Sequence, residues 1–103
     1  MAITSKTLST TAQTIFTSAG TQGDAITTMY VCNVSNANQT FNIHLVPAGG
    51  TASNTNIIYC AFPVTSTDTY VIEDRILLNP GDTVQGLASN VNSIVVTVSS
   101  LSV

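Results

Sequence analysis

The sequence predicts an all-β chain: a two-sheet antiparallel β-sandwich of seven to eight strands, with a jelly roll among its forms. Three observations predict it. No stretch carries apolar residues at i, i+3, i+4 and i+7 over a helical length. Val, Ile, Thr, Tyr and Phe recur instead in short runs bounded by Gly, Pro, Asn and Asp. Those runs follow one another at roughly 8- to 12-residue spacing, as sandwich strands joined by tight turns do.

Taken in order, residues 2–9 and 12–18 read as two weak strands, followed by a small-residue turn from Ser18 to Gly23. Residues 1–22 are thus an amino-terminal arm or weak strands, and residues 23–103 the sandwich domain. From Ala25 to Ser35, alternation puts Ile26, Tyr30, Cys32 and Val34 on one face. Met29 and Val31 make the opposite face apolar too, so both sides of this strand are expected to be covered. Asn36-Ala37-Asn38 turns the chain, and Thr40 to Val46 alternates cleanly, with Phe41, Ile43 and Leu45 on one face and Asn42 and His44 on the other.

Pro47-Ala48-Gly49-Gly50 and the polar run to Asn56 form a loop, because Pro presets φ and Gly permits positive φ. Ile57 to Phe62 is apolar on both faces, as a central strand would be, and Pro63, with no N–H to donate, ends its ladder. Thr69 to Glu73 carries Tyr70 and Ile72 in phase, and Arg75 to Leu78 resumes extension. Asn79-Pro80-Gly81-Asp82 then has the Pro at i+1 and Gly at i+2 that a type II turn requires. Thr83 to Ala88 and Ser93 to Leu101 finish the set, the last with Ile94, Val96 and Val98 on one face.

Composition bounds the function. Among 103 residues, 44% are hydrophobic and only 7% charged, against a usual ~25% charged. The surface must therefore be built from uncharged polar groups, which 17 Thr, 11 Ser and 9 Asn supply. Lys6 and Arg75 are the only fixed cations and the net charge is −3, so no basic stripe exists to neutralise phosphates and nucleic acid is excluded as a partner. The longest apolar run, 57–62, falls far short of the ~20 residues that cross a bilayer as a helix, and no membrane partner is expected. The opening ten residues lack the apolar core of a secretory signal, which predicts synthesis in the cytosol. A reducing cytosol favours Cys32 and Cys60 as buried free thiols over a disulfide.

Enzyme chemistry has little to stand on. His44 is the single imidazole, and neither G-x-S-x-G nor G-x-x-x-x-G-K occurs. On the polar face of its strand, His44 is expected to be a solvated or interface side chain. Two cysteines and one histidine at unrelated spacings do not make a zinc site, and no cofactor is expected. Asp68, Glu73, Asp74 and Asp82 form an acidic stretch in which calcium is one reading and turn and bend chemistry the favoured one. A carbohydrate- or host-surface-binding module is the alternative function. Without Trp it would need an exposed pair among Tyr30, Tyr59 and Tyr70, each of which sits in an apolar run where core packing is expected.

One asymmetry points to assembly. Residues 1–67 contain only Lys6 and Asp24 as charges, whereas Asp68, Glu73, Asp74, Arg75 and Asp82 fall within positions 68–82. Sheet edges are commonly blunted by lysine, proline or inward charge, and such guards look sparse, so edges and faces are expected to be covered by other protein. Ile3, Leu8, Ile15 and Phe16 of the first segment, with Met29 and Val31, are the candidate interface residues, and the chain is expected to be a homo-oligomer. Deleting residues 1–18 is expected to weaken assembly or docking while leaving the sandwich folded.

At Met29-Tyr30-Val31-Cys32-Asn33-Val34-Ser35 and at Phe41 to Gly50, the sequence resembles a group of small virion structural proteins of tailed bacteriophages. Asn56-Ile57-Ile58-Tyr59, Thr67-Asp68-Thr69-Tyr70 and Leu77 to Val84 fit the same order of strands and turns, so the resemblance covers about residues 25–100. It implies a β-sandwich subunit without catalytic residues. Such a subunit packs onto the particle as a head decoration or as a neck, tail or fibre-base component. The implied partners are the major capsid or neck and tail proteins of the same virion, the implied location the virion, assembled in the host cytoplasm.

Overall fold

The computed structural model describes residues 2–19 and 21–102. Nine strands follow in chain order: β1 (Ala2–Thr7), β2 (Gln13–Thr17), β3 (Asp24–Asn33), β4 (Gln39–Val46), β5 (Ile57–Val64), β6 (Thr69–Ile72), β7 (Ile76–Leu78), β8 (Thr83–Ala88) and β9 (Ile94–Ser102). They form two antiparallel sheets, one in the order β1-β9-β3-β6 with β7 also on β3, the other β2-β8-β4-β5. The expected two-sheet sandwich is what the chain adopts.

β6 and β7 pair with successive parts of one strand, β6 with Met29–Cys32 and β7 with Asp24–Ile26. They are one edge strand interrupted at Glu73-Asp74-Arg75. Counted so, the pairing is a single rolled-up hairpin: β4 with β5 at its tip, then β3 with β6 and β7, β2 with β8, and β1 with β9. That nesting is the eight-stranded jelly-roll order.

The roll decides the place of the amino-terminal segment, which is not a free arm. β1 lies antiparallel to β9 and β2 to β8, so both are partners within the chain's own sheets. Between them Leu8 crosses from one sheet to the other. Its side chain is fully buried, its N–H donates to Ile94 O at 2.9 Å, and its carbonyl accepts from Asn92 N at 3.1 Å. The described chain exposes 5465 Å², close to the ~5,500 Å² of a folded monomer of this mass.

The core lies between the sheets, with Ile26, Met29, Val31, Val96 and Val98 from one and Ile15, Phe41, Ile43 and Val84 from the other. Ile26 joins Met29 and Val31 rather than Tyr30, contrary to strict alternation. The register of β3 against β9 slips by one residue between Ile26 and Thr28. This bulge at Thr27 exchanges the two faces of the strand. The Thr27 hydroxyl donates to Ser99 O at 3.2 Å, holding the extra residue against β9.

The run 57–64 is not a central strand. β5 pairs with β4 alone, and Ile58 and Cys60 are exposed. Two register slips within it leave Tyr59 and Phe62 packed inward on Phe41, at 5.9 and 5.5 Å between ring centroids. Pro63 stands within the strand, opposite Thr40, rather than after it; an edge strand accommodates a missing donor on its solvent side. At the first slip the Ala61 N–H donates to Asn42 Oδ1 at 2.8 Å.

The edges are guarded after all, by geometry more than by charge. β5 has bulges and a proline, β2 is five residues long with a slip between Thr14 and Phe16, and β6 and β7 are four and three residues long. On β1, Lys6 stands opposite core Val96, the inward-facing position for a charge on an edge strand. Bare edges are therefore not the argument for assembly.

The turn at 79–82 forms as expected. Asp82 N–H donates to Asn79 O at 3.0 Å, and Gly81 has φ 90°. Gly23 has φ 91° in the turn before β3, and a Cβ there would lie 2.0 Å from Leu78 O, so only glycine lets the backbones meet.

Candidate interaction surface

The outer face of the five-stranded sheet follows from the register. Opposed residues of an antiparallel pair share a face, so one row across the sheet reads Ser5, Thr97, Tyr30, Val71 and the next Thr7, Val95, Cys32, Thr69. Toward one end Ile3 and Ser99 stand together, and Ala25 is flanked by Leu101 and Leu77. None of these positions holds a charged residue. Of the large apolar side chains exposed among the described residues, Ile3 (75% exposed), Leu77 (72%), Tyr30 (44%), Val71 and Leu101 belong to this face, while Val34, Ile58 and Val91 lie outside it. Ser5 Oγ and Thr97 Oγ1 bond to each other at 3.1 Å. Glu73, Asp74 and Arg75 stand at the rim, in the break between β6 and β7.

On the other sheet, the loop between β4 and β5 folds back over the part of the outer face that holds His44. Leu45 N–H donates to Asn56 O at 3.0 Å, and His44 Nδ1 lies 3.0 Å from both Ser53 O and Asn56 Oδ1. His44 is buried beneath this loop, which corrects the expectation of a solvated or interface imidazole: the strand face is polar, but local chain covers it. Val46 is covered on the same side.

The candidate interface residues divide. Leu8, Ile15, Met29 and Val31 are core side chains, so a folded chain cannot offer them to a partner, and Phe16 is partly buried against the core. Ile3 alone of the six stands on the open face. Tyr30, Val71, Leu77 and Leu101 are the residues that sequence reasoning did not select. Tyr30 in particular is not a core tyrosine, because the Thr27 bulge leaves it outside.

Asn79, Pro80, Gly81 and Asp82 act as a structural tie. Asp82 accepts from Asn79 N through Oδ2 and from Ala48 N through Oδ1, both at 3.0 Å. Gly81 N donates to Ser18 O at 3.0 Å, and Ser18 N to Asp82 O at 2.8 Å. Asp24, near the same end, accepts from Ala19 N at 2.9 Å and from Ser18 Oγ at 3.3 Å. Asp24 and Asp82 are thus engaged with backbone, and among the described residues no three His, Cys, Asp or Glu side chains come together as a metal site. Cys32 and Cys60 are free thiols; Cys60 is exposed and Cys32 half-buried, so neither is the buried group expected.

Tyr59 and Tyr70 meet edge to face at 6.2 Å and pack with Phe62 where β5 and β6 close the sandwich. Both are half-buried and held against the core, unlike the exposed pair that stacking on a sugar ring would use. Burial, with Tyr70 and the Asp74 carboxylate beside it, raises the Tyr59 phenol above the ordinary tyrosine value of 10.0.

Fold and surface together define a jelly-roll β-sandwich with one open, uncharged sheet face. Set against protein-family models, curated proteins and solved structures, the chain matches none of them.

Proposed function

We propose that this chain is a non-enzymatic structural subunit of an assembled particle, a virion protein of a tailed phage that packs as a head decoration or a neck or tail component. The observation that carries the structural role is the outer face of the five-stranded sheet. It combines a central tyrosine, aliphatic side chains and hydroxyls with no charge, and its charged residues stand only at the rim. Protein interfaces have this anatomy, with charge depleted at the centre and Tyr enriched. The resemblance over residues 25–100 supplies the virion, and the jelly roll is a fold from which viral capsids are built, although fold alone does not assign function. A chain with few charges also relies little on ion pairs that salt would screen.

The test is fractionation of the producing cells. The reading expects the chain in fixed stoichiometry with the structural proteins of a sedimenting particle. Recovery only as free protein, with intact particles lacking it, would overturn it.

A further inference from the structure

We propose that the open face of the five-stranded sheet is a self-association surface, and that its occupant is the same face of a second copy of this chain. The inference rests on the structural-subunit reading and names the partner and the surface.

Three observations select a second copy. The first is charge. The chain has a net charge of −3, so two copies repel wherever carboxylates approach one another. The rows Ser5–Thr97–Tyr30–Val71 and Thr7–Val95–Cys32–Thr69 hold no charge, and copies meeting there keep the acidic turns at the periphery. An oppositely charged partner would find nothing on this face to recognise.

The second is area. Four strands abreast at ~4.8 Å spacing span about 19 Å, and the nine residues of β9 run about 30 Å. The face therefore offers about 550 Å² per copy and about 1,100 Å² for a pair, near the lower limit for a specific interface. Such an area fits a dissociable dimer, a contact for a subunit that must first be made and folded singly.

The third is self-complementarity. Two sheets can stack face to face at ~10 Å with their strands nearly aligned. A two-fold axis lying between the two faces and parallel to the strands brings each row onto its own counterpart, a closed isologous contact. Tyr30 lies on β3, one of the two inner strands, between Thr97 and Val71, the central aromatic position at which binding energy concentrates. On the other sheet the loop over His44 interrupts the outer face.

The experiment is sedimentation velocity of the full chain across concentrations bracketing the micromolar range. It compares the parent with Tyr30→Lys, Val71→Lys and a control, Thr14→Lys, whose position is exposed and opposite Gln85 on the other sheet. Circular dichroism verifies that each variant is folded. The parent and Thr14→Lys should dimerise alike, while Tyr30→Lys and Val71→Lys raise the dissociation constant by about 30-fold or more. In a Cys60→Ser background, alkylation of Cys32 should slow as concentration rises, and Tyr30→Lys should abolish that slowing. A parent that dimerises equally well with a lysine at either face position would overturn the surface. A parent monomeric throughout would overturn self-association. In both cases the structural-subunit reading stands or falls separately, on the presence of the chain in particles.

Discussion

Replacing Leu8 with alanine tests whether the first two strands belong to the sandwich. Leu8 is fully buried among residues of both sheets and is the point at which the chain passes from one to the other. The substitution removes three carbons, worth about 0.8 kcal/mol each in transfer from water, or about 2.4 kcal/mol together. The backbone of Leu8 is fixed by bonds to Ile94 and Asn92, so the site cannot collapse fully, and the residual cavity brings the cost to about 3–5 kcal/mol. A domain of this size has about 5–15 kcal/mol of stability, so a large share is lost and the melting temperature should fall by roughly 15–30 °C. Urea denaturation at constant m-value is the assay. Ile3→Ala, at a position 75% exposed, should cost less than about 0.5 kcal/mol in the same assay. A Leu8→Ala cost as small as that of Ile3→Ala would refute the placement and restore a loosely attached arm. Deletion of residues 1–18 should unfold the chain, since it removes β1, β2 and the buried Leu8 and Ile15.

Other consequences are open to measurement. Asp82→Ala removes the acceptor of two backbone N–H bonds and should cost about 1–2 kcal/mol in urea denaturation, with Asp82→Asn costing less; equal stability of all three forms would show that the tie is unimportant. Gly23→Ala would set a methyl against Leu78 O in a positive-φ position, so thermal denaturation should show a loss of at least about 2 kcal/mol; an unchanged melting temperature would contradict the close approach. Tyr59 ionises above pH 10 in the folded chain because burial, then Tyr70 and Asp74, disfavour the phenolate. A raised folded value means stability is complete below pH 10 and declines as pH rises through the folded pKa, because the unfolded tyrosine releases its proton first. Ultraviolet titration of the parent minus Tyr59→Phe should isolate a step above pH 10, and Asp74→Asn should move that step downward; a step at or below pH 10 would refute the arrangement.

Much of the fold was legible because local chemistry and long-range pairing agree. The alternation of Phe41 and Ile43, and of Ile94, Val96 and Val98, marks inner faces that remain inner, and the Pro-Gly pair at 80–81 sets a turn closed by the local Asp82 N–H to Asn79 O bond. What was hidden depends on one-residue events and distant chain. The extra residue at Thr27 inverts β3 and carries Tyr30 outward, yet Thr at that position is an ordinary strand residue with no mark of a bulge. Ile57 to Phe62 has the apolar content of a central strand, but its bulges and neighbours set it at an edge. His44 looks solvent-facing until the loop 47–56 closes over it. Leu8 carries little signal in a Ser/Thr-rich segment, because the backbone that fixes it, at Asn92 and Ile94, is more than eighty residues away.

For the open face, apolar content was visible but its side was not: Met29 and Val31 were expected at an interface and Tyr30 in the core, and one bulge exchanges those roles. The uncharged character of the whole surface, evident from composition, acquires a location only through the register of β1, β9, β3 and β6.

The most direct measurement is a density map of the particle purified from producing cells. Copies of this jelly roll should stand in fixed positions with their five-stranded sheets against one another and Tyr30 covered at the contact. Particles without the chain, or copies in which Tyr30 and its neighbours face solvent throughout, would contradict the account.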